Sequence, residues 1–437
     1  MPVGLIPLTT SMQFNIVDYP MRYSGFTLIA QALKGHTGWQ PVWRDASPKS
    51  TYDVLIIGGG GHGLATAFYL AENHGIRNVA VLEKGYVGGG NVGRNTTIIR
   101  SNYLLDGNTQ FYKFSMKLWE GLSQALNFNV MFSQRGMLIT AHSADQFDAF
   151  SQRANIMRLN GIDAQVLDGD EVRRLVPYLD FSETARFPVC GAISLGQAGT
   201  ARHDAVAWGY ARAADAYGVD IIQGCEVTGF VRDGERIVGV ETTRGRIGAG
   251  KVGLAVAGHT SMLGRKAGLE LPIESHILQA FVTEPIKPLV HQVVAYGRDH
   301  FYVSQSDKGG LVFGGGLDGY NSYAQRGNLG TVREVAEAAI ALMPCISRLR
   351  ILRHWGGVMD MTPDASPIIC PTPIDGLYIN GGWCYGGFKA TPASGWCFAH
   401  TLATGAPHPL TAAYSLDRFR TGRTIDEAGT GPFAWLQ

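Results

Sequence analysis

The chain has 437 residues, enough for one large α/β unit or two to three domains, and its net charge of +1, with no basic patch or acidic tail, argues against nucleic acids and other polyanions as partners. Charged residues make up 17%, against ~25% in typical soluble domains, so part of the surface is expected to be covered by other subunits. Six scattered cysteines with no CxxC pair suit a reduced, cytoplasmic protein without a zinc site or disulfide framework.

Residues 1–50 read as an N-terminal extension. Met1 to Pro20 lacks the basic start and apolar core of a secretory signal, and Met12 or Met21 can each be the true start. Met21 to Leu33 has helical apolar spacing, expected to dock on the body or on a partner. No apolar run reaches the ~18 residues of a membrane span.

Tyr52 to Glu83 reads as strand, glycine turn, helix and second strand, ending on an acid. With 57 glycines, a lone GxGxxG carries little weight; here all four parts are in register. Gly58 permits the tight turn, Gly60 lets the backbone approach a diphosphate at the helix N-terminus, and Gly63 allows close helix–strand packing. Glu83 is then placed for the ribose hydroxyls of an adenine dinucleotide.

After a glycine-rich loop at Tyr86 to Arg94, Asn95 to Arg100 resumes as a β-branched strand, with Arg100 closing Thr97 to Arg100. Helix is expected around Tyr112 to Leu126, strand at Gly136 to Thr140, and helix at Ala144 to Asn160 and His203 to Tyr217, the last with Asp204 as N-cap and Gly218 as stop. Strands follow at Asp220 to Gln223, Gly224 to Arg232, Ile237 to Thr243 and Lys251 to Ala257, the last running into Gly258-His259 where a sheet edge meets a cofactor. Further strands are expected at His300 to Ser304, Gly310 to Gly314 and Asp375 to Asn380, and helices at Asn328 to Leu342 and Ser394 to Ala403. The glycine-rich turn before that last helix contains Lys389. Three separated pieces therefore build the nucleotide fold: a cofactor domain from 51–115, 190–265 and 350–425, a substrate domain from 116–189 and 266–349, and a tail at 426–437.

Arg100 lies beside Ile98 and Ile99, where a guanidinium demands an anion. That anion is either a substrate carboxylate or an internal acid. Lys389 poses the same demand, and two cations beside cofactor-facing loops suit a substrate with a carboxylate. His203 is either a cap or surface residue, or an imidazole able to bond a flavin methyl group. His62 and His259 read as packing or cofactor contacts, and Tyr302 and Tyr320 as ordinary strand aromatics. No metal site is expected. Hydrolase and kinase motifs are absent.

Gly58 to Ala67, Asn91 to Tyr103, Arg202 to Gly209 and Gly386 to Lys389 together resemble the β subunits of heterotetrameric sarcosine oxidases, in the glycine/D-amino-acid oxidase class of flavoproteins, over about residues 21–425. The resemblance implies an α/β fold of D-amino-acid oxidase type, with a Rossmann-like FAD-binding domain interleaved with a β-rich α+β substrate domain. It implies noncovalent FAD, held by Gly58, Gly60, Gly61, His62, Gly63, Glu83 and Lys84, with Asn91, Asn95, Thr96 and Thr97 near the flavin. Val227, Ala257, Gly258, Gly357, Gly386, Gly387 and Phe388 complete the implied contacts. It further implies Arg100 and Lys389 on the substrate carboxylate, FMN covalently attached to His203, and partner subunits α, γ and δ. The implied reaction is oxidative demethylation of sarcosine to glycine, a one-carbon unit and hydrogen peroxide. Where monomeric relatives carry an oxygen-activating lysine and a pocket histidine, this chain has Val312 and Gly316, and no cysteine stands near Val358 and Met359 to link FAD. Other readings are a dehydrogenase for another N-methyl or secondary amino acid, a flavin-binding structural subunit, and an NAD-dependent dehydrogenase.

Overall fold

The structure, a computed structural model, describes residues 24–39, 41–296 and 301–427. The expectations for Met1 to Pro20, for starts at Met12 or Met21, for His300 and for 428–437 fall outside these residues.

In the first of two large sheets, Thr51–Ile57 lies between Val79–Leu82 and Gly245–Leu254, parallel to both, and Asp220–Ile222 extends the sheet beyond Val79–Leu82. Every residue of Val79–Leu82 is buried, as are five of the seven in Thr51–Ile57. Such apolar runs suit parallel strands covered on both faces. The helix Gly61–His74 makes the crossover and ends at Gly75, whose φ of 66° gives the left-handed cap. Leu377–Gly381 adds on the other side of Gly245–Leu254, and the helix Gly387–Thr404 follows it. That helix packs tightly on Gly61–His74 at Gly395, where a Cβ would lie 2.4 Å from the Ala65 Cβ.

The second sheet runs in the order Ile351–Met361, Glu274–Pro285, Gly310–Leu317, Tyr302–Gln305, Val293–Tyr296, Met137–Ala141, Gly191–Leu195, Ala164–Asp168. Its membership redraws the expected segments. Gly191–Leu195 and Ile351–Met361, assigned to the cofactor domain by limits at 190 and 350, pair in this second sheet. The helix Asp106–Ala125, split by the limit at 115, is continuous and packs on Gly387–Thr404. Strand composition does not say which sheet a strand joins, because the pairing partners are distant in sequence.

Four local expectations are corrected. Thr97 to Arg100 shrinks to the two-residue strand Ile98–Ile99, paired with Gly199–Thr200, because Thr97 turns out of extended geometry at φ 69°. Asp204 is not the cap of the helix His203–Ala216: Arg202 holds that position without a side-chain cap bond, and Asp204 instead grips the Arg202 guanidinium at 2.6 and 3.1 Å. The strand expected to reach Ala257 ends at Leu254, and Ala257–His259 is a 3-10 turn feeding the helix Thr260–Lys266. Lys389 sits in the first turn of Gly387–Thr404 rather than before it. The proline at 392 and the glycines at 386 and 387 hide that start from a propensity reading.

Candidate active site

A cavity of 870 Å³ is lined from both sheets, within the size range of small-molecule and cofactor sites. At one end stand Gly58, Gly60, Gly61 and His62, with Glu83, Lys84, Val227, Ala257, Gly258 and His259 around them. Gly58 has φ 111°, and a Cβ there would lie 2.3 Å from Ala255 O. A Cβ on Gly60 would meet nothing within 4 Å, so the space before the helix N-terminus is open to a ligand. Glu83 ties the loop down: Oε2 accepts from Gly59 N at 2.9 Å and Oε1 from Gly85 N at 2.8 Å. A carboxylate has about four lone-pair sites, so acceptor capacity remains for ribose hydroxyls. These features fit an adenine dinucleotide.

Gly63, expected among the contacts, lies outside the cavity lining; a Cβ there would lie 2.0 Å from Gly58 O, so its part is packing under the loop. Thr97 also lies outside, its N–H donating to Asn95 Oδ1 at 2.7 Å. Asn95 and Thr96 do line the cavity, as do Asn91, Gly357, Gly386, Gly387 and Phe388. Asn91 spends its amide on the strand opposite: Nδ2 donates to Val358 O and Oδ1 accepts from Val358 N. His62 stacks on Trp383 with centroids 4.6 Å apart, and its Nδ1 meets Ser394 Oγ at 2.6 Å. Burial pushes its pKa down to about 3, so it is a neutral link between the two glycine loops.

At the other end, Arg100 and Lys389 come together from segments far apart in sequence. Each cation lies 5.9 Å from the Tyr103 ring centroid, and that ring stacks on Tyr112 at 3.7 Å. Lys389 is buried, with Nζ donating to Tyr385 O at 2.8 Å. Burial first, and the Arg100 charge second, hold its ammonium well below the usual lysine range. Its own carbonyl accepts from Ser115 Oγ at 2.6 Å and Trp119 Nε1 at 2.8 Å, bonds that lock the start of the helix. An anion placed between Arg100 and Lys389 would relieve their mutual repulsion.

Tyr302, read as an ordinary strand aromatic, lines this end, and its OH accepts from Thr96 Oγ1 at 3.2 Å. Tyr320 is exposed and outside the lining. Neither Val312 nor Gly316 lines the cavity; Gly315 does, and the whole strand Gly310–Leu317 contains no lysine or histidine. Sequence reasoning missed Arg153, Asn102, Asp360 and Glu427, which also line the cavity. Only Asn102 lay inside a segment already singled out.

His203 lies away from this cavity, at the start of His203–Ala216. Its side chain is half-buried, and its Nδ1 is shielded from solvent with no hydrogen-bond partner, 4.0 Å from Asp204 Oδ1. Burial lowers its pKa against the opposing pull of Asp204, which favours a neutral imidazole.

Residues 53–401 match the family described as FAD dependent oxidoreductase (DAO). The chain is 63% identical to the sarcosine oxidase subunit beta of Rhizobium meliloti (strain 1021), covering 94% of this chain and 99% of that one. It is 51% identical to the sarcosine oxidase subunit beta of Rhodobacter capsulatus, over 93% of this chain and 98% of the relative. Among solved structures, the L-proline dehydrogenase from P. horikoshii superposes with a TM-score of 0.79 at 30% identity, covering 86% of this chain and 99% of that one.

Proposed function

We propose, from the premise that this chain belongs to the FAD-dependent oxidoreductases and, among them, to the sarcosine oxidase β subunits, that it oxidises the N-methyl carbon–nitrogen bond of sarcosine within a multi-subunit enzyme. The products on this reading are glycine, a one-carbon unit released as formaldehyde or passed to folate, and hydrogen peroxide. The observation that carries it is the convergence of Arg100 and Lys389 at one end of a dinucleotide-sized cavity.

The Gly58 to Gly61 loop and the helix N-terminus behind it would hold the FAD diphosphate, Glu83 the ribose, Val227 and Gly258 the adenine end, and Asn95, Thr96, Gly357 and Gly386 to Phe388 the flavin end. FAD bound there supplies the two-electron acceptor for the amine. Arg100 offers a planar fork to the substrate carboxylate and Lys389 a point charge, so the N-methyl group is oriented by its own carboxylate. The Tyr103–Tyr112 stack and the buried Lys389 stem keep water from that end. A carboxylate bound there also stabilises the ammonium form of Lys389, so substrate binding favours a proton on Nζ.

No lysine on Gly310–Leu317 serves oxygen chemistry, and positions 358 and 359, where the monomeric relatives' FAD-linking cysteine is expected, are Val and Met. By the resemblance of Arg202 to Gly209 to the β subunits, His203 is our candidate for covalent attachment of an FMN, near the contact with an α subunit, and the name shared by the relatives supports partner subunits, which we take as α, γ and δ. Among the described residues no helix is long and apolar enough to cross a membrane, and we read the enzyme as cytoplasmic. The 30% identity to an L-proline dehydrogenase favours a second reading, in which another secondary amino acid is the substrate.

The test is to co-express the chain with its partners and add sarcosine to the purified complex without oxygen. Bleaching of the flavin with formation of glycine is expected. Faster reduction by proline or another N-methyl amino acid would move the assignment to the second reading. Acid precipitation of the same complex is expected to release FAD and leave FMN on the peptide containing His203; release of all flavin would return His203 to a structural role.

A further inference from the structure

Four side chains close a ring between the two glycine loops that line the cavity, and their hydrogen bonds run in one direction. Trp383 Nε1, which can only donate, donates to Asn380 Oδ1 at 2.8 Å. That contact orients the Asn380 amide, whose Nδ2 donates to Ser394 Oγ at 2.8 Å. The Ser394 hydroxyl proton then has His62 Nδ1, 2.6 Å away, as its acceptor. Burial keeps the His62 ring neutral, so an accepting Nδ1 places the ring proton on Nε2. The ring of four closes where His62 stacks on Trp383. Nε2 faces the start of the helix Gly387–Thr404: a Cβ on Gly387 would lie 3.6 Å from it, and a backbone acceptor of Gly387, which can only be the carbonyl, favours a proton on the ring. That helix has no side-chain cap bond at Gly386, and Gly386, Gly387 and Phe388 line the cavity. The N–H groups of its first turn lack intrahelical partners and carry the positive end of the helix dipole.

We propose that His62 is a positioning residue for the flavin: fixed by Ser394 as an Nε2–H donor, it holds the Gly387 carbonyl and so aims the first-turn N–H groups of Gly387 and Phe388 at the flavin ring, raising the reduction potential of bound FAD. The inference rests on the reading that Gly386 to Phe388 stand at the flavin end of the cofactor. Reduction places negative charge on the flavin ring, and N–H dipoles already oriented in a site closed to water favour that charge. A packing role for His62 would need only the shape of the ring, and its tautomer would be immaterial. Ser394 is wholly buried and lies outside the cavity lining, so a change there reaches the cofactor only through its neighbours in the ring of four.

The test is the midpoint potential of FAD in the assembled holoenzyme, titrated against reference dyes without substrate, together with the FAD absorbance spectrum. His62→Leu is expected to shift the reduction equilibrium at least tenfold toward the oxidised form, about 30 mV for a two-electron couple. His62→Gln, whose amide again donates to the Gly387 carbonyl, is expected to recover most of that shift. Ser394→Ala is expected to shift the equilibrium at least threefold in the same direction as His62→Leu. An unchanged potential in His62→Leu or in Ser394→Ala, or a His62→Gln potential as low as that of His62→Leu, would overturn the proposal. If His62→Leu does not retain FAD, the other two variants decide: a potential near the parent in His62→Gln with a lowered one in Ser394→Ala supports the proposal, and any other pair of results sinks it. Gly387→Ala checks the placement of the flavin alone. An altered FAD spectrum is expected there; an unaltered one refutes that placement and the proposal with it, whereas an altered one beside an unchanged Ser394→Ala refutes only the proposal. Because no substrate enters the titration, failure of sarcosine to bleach the flavin would refute the substrate reading separately.

Discussion

Lys389 sets the pH behaviour of the proposed site. Burial and Arg100 depress its pKa below the usual lysine value, and a bound carboxylate favours its protonated form. The sign follows directly: affinity for the carboxylate is full below the depressed pKa and is lost as pH rises through it. KM for sarcosine is expected to rise with pH in the unmodified enzyme, and Lys389→Met to raise KM at low pH and flatten the profile. A KM independent of pH in the unmodified enzyme would count against this assignment. Arg100 and Lys389 were legible in sequence because a cation beside apolar neighbours demands an anion wherever the chain goes. Arg153 and Glu427 were not, because neither stands among apolar residues whose burial is evident locally. His203 was legible only through the residues around it that resemble a known family.

At the scale of elements, the turn from Thr51–Ile57 into Gly61–His74 was readable because each glycine answers a local backbone demand. Gly63 and Gly60 separate packing from ligand space. A Cβ on Gly63 runs into Gly58 O, whereas a Cβ on Gly60 meets no protein atom within 4 Å. Gly63→Ala is expected to lower Tm and to weaken FAD binding more than tenfold. Gly60→Ala is expected to weaken FAD binding while leaving the Tm of the flavin-free protein near that of the parent. Flavin content and thermal unfolding on both variants check the pair, and equal losses of Tm would refute the distinction. The helix Gly387–Thr404 was harder to read. Pro392 inside it cannot donate to the carbonyl four residues back and crowds the first turn. Bonds from Ser115 and Trp119 to Lys389 O hold that turn, and both residues come from another helix. Local propensity therefore placed the helix start seven residues late.

At the scale of the whole molecule, the C-terminal segment is fastened beneath the cavity by a buried ion pair. Arg418 Nε and Nη2 reach Asp364 at 2.7 and 2.9 Å, with both side chains almost wholly buried. Asp364 Oδ2 also accepts from Ile425 N at 3.0 Å, two residues before Glu427. Removing one partner leaves a buried charge unpaired, which costs about 3–5 kcal/mol. Arg418→Met is accordingly expected to lower stability by about that amount, measured by denaturant unfolding of the assembled enzyme; a loss below about 1 kcal/mol would show the pair to be solvated, as exposed pairs are. Elsewhere the helix Gly25–Leu33 buries no residue and exposes Phe26 and Leu33, in keeping with the subunit reading. By itself the sequence determined the dinucleotide turn, the α/β class of the cofactor fold, and the two cations that we propose to hold a carboxylate. All three are demands of single residues or of a run of about thirty, and local chemistry records them. Tertiary structure alone decided which sheet takes Gly191–Leu195 and Ile351–Met361, and that Arg153, Asn102 and Glu427 meet at one wall. Those outcomes depend on contacts between segments tens to hundreds of residues apart, where burial and partner choice are properties of the assembled core and leave no periodic mark on the chain.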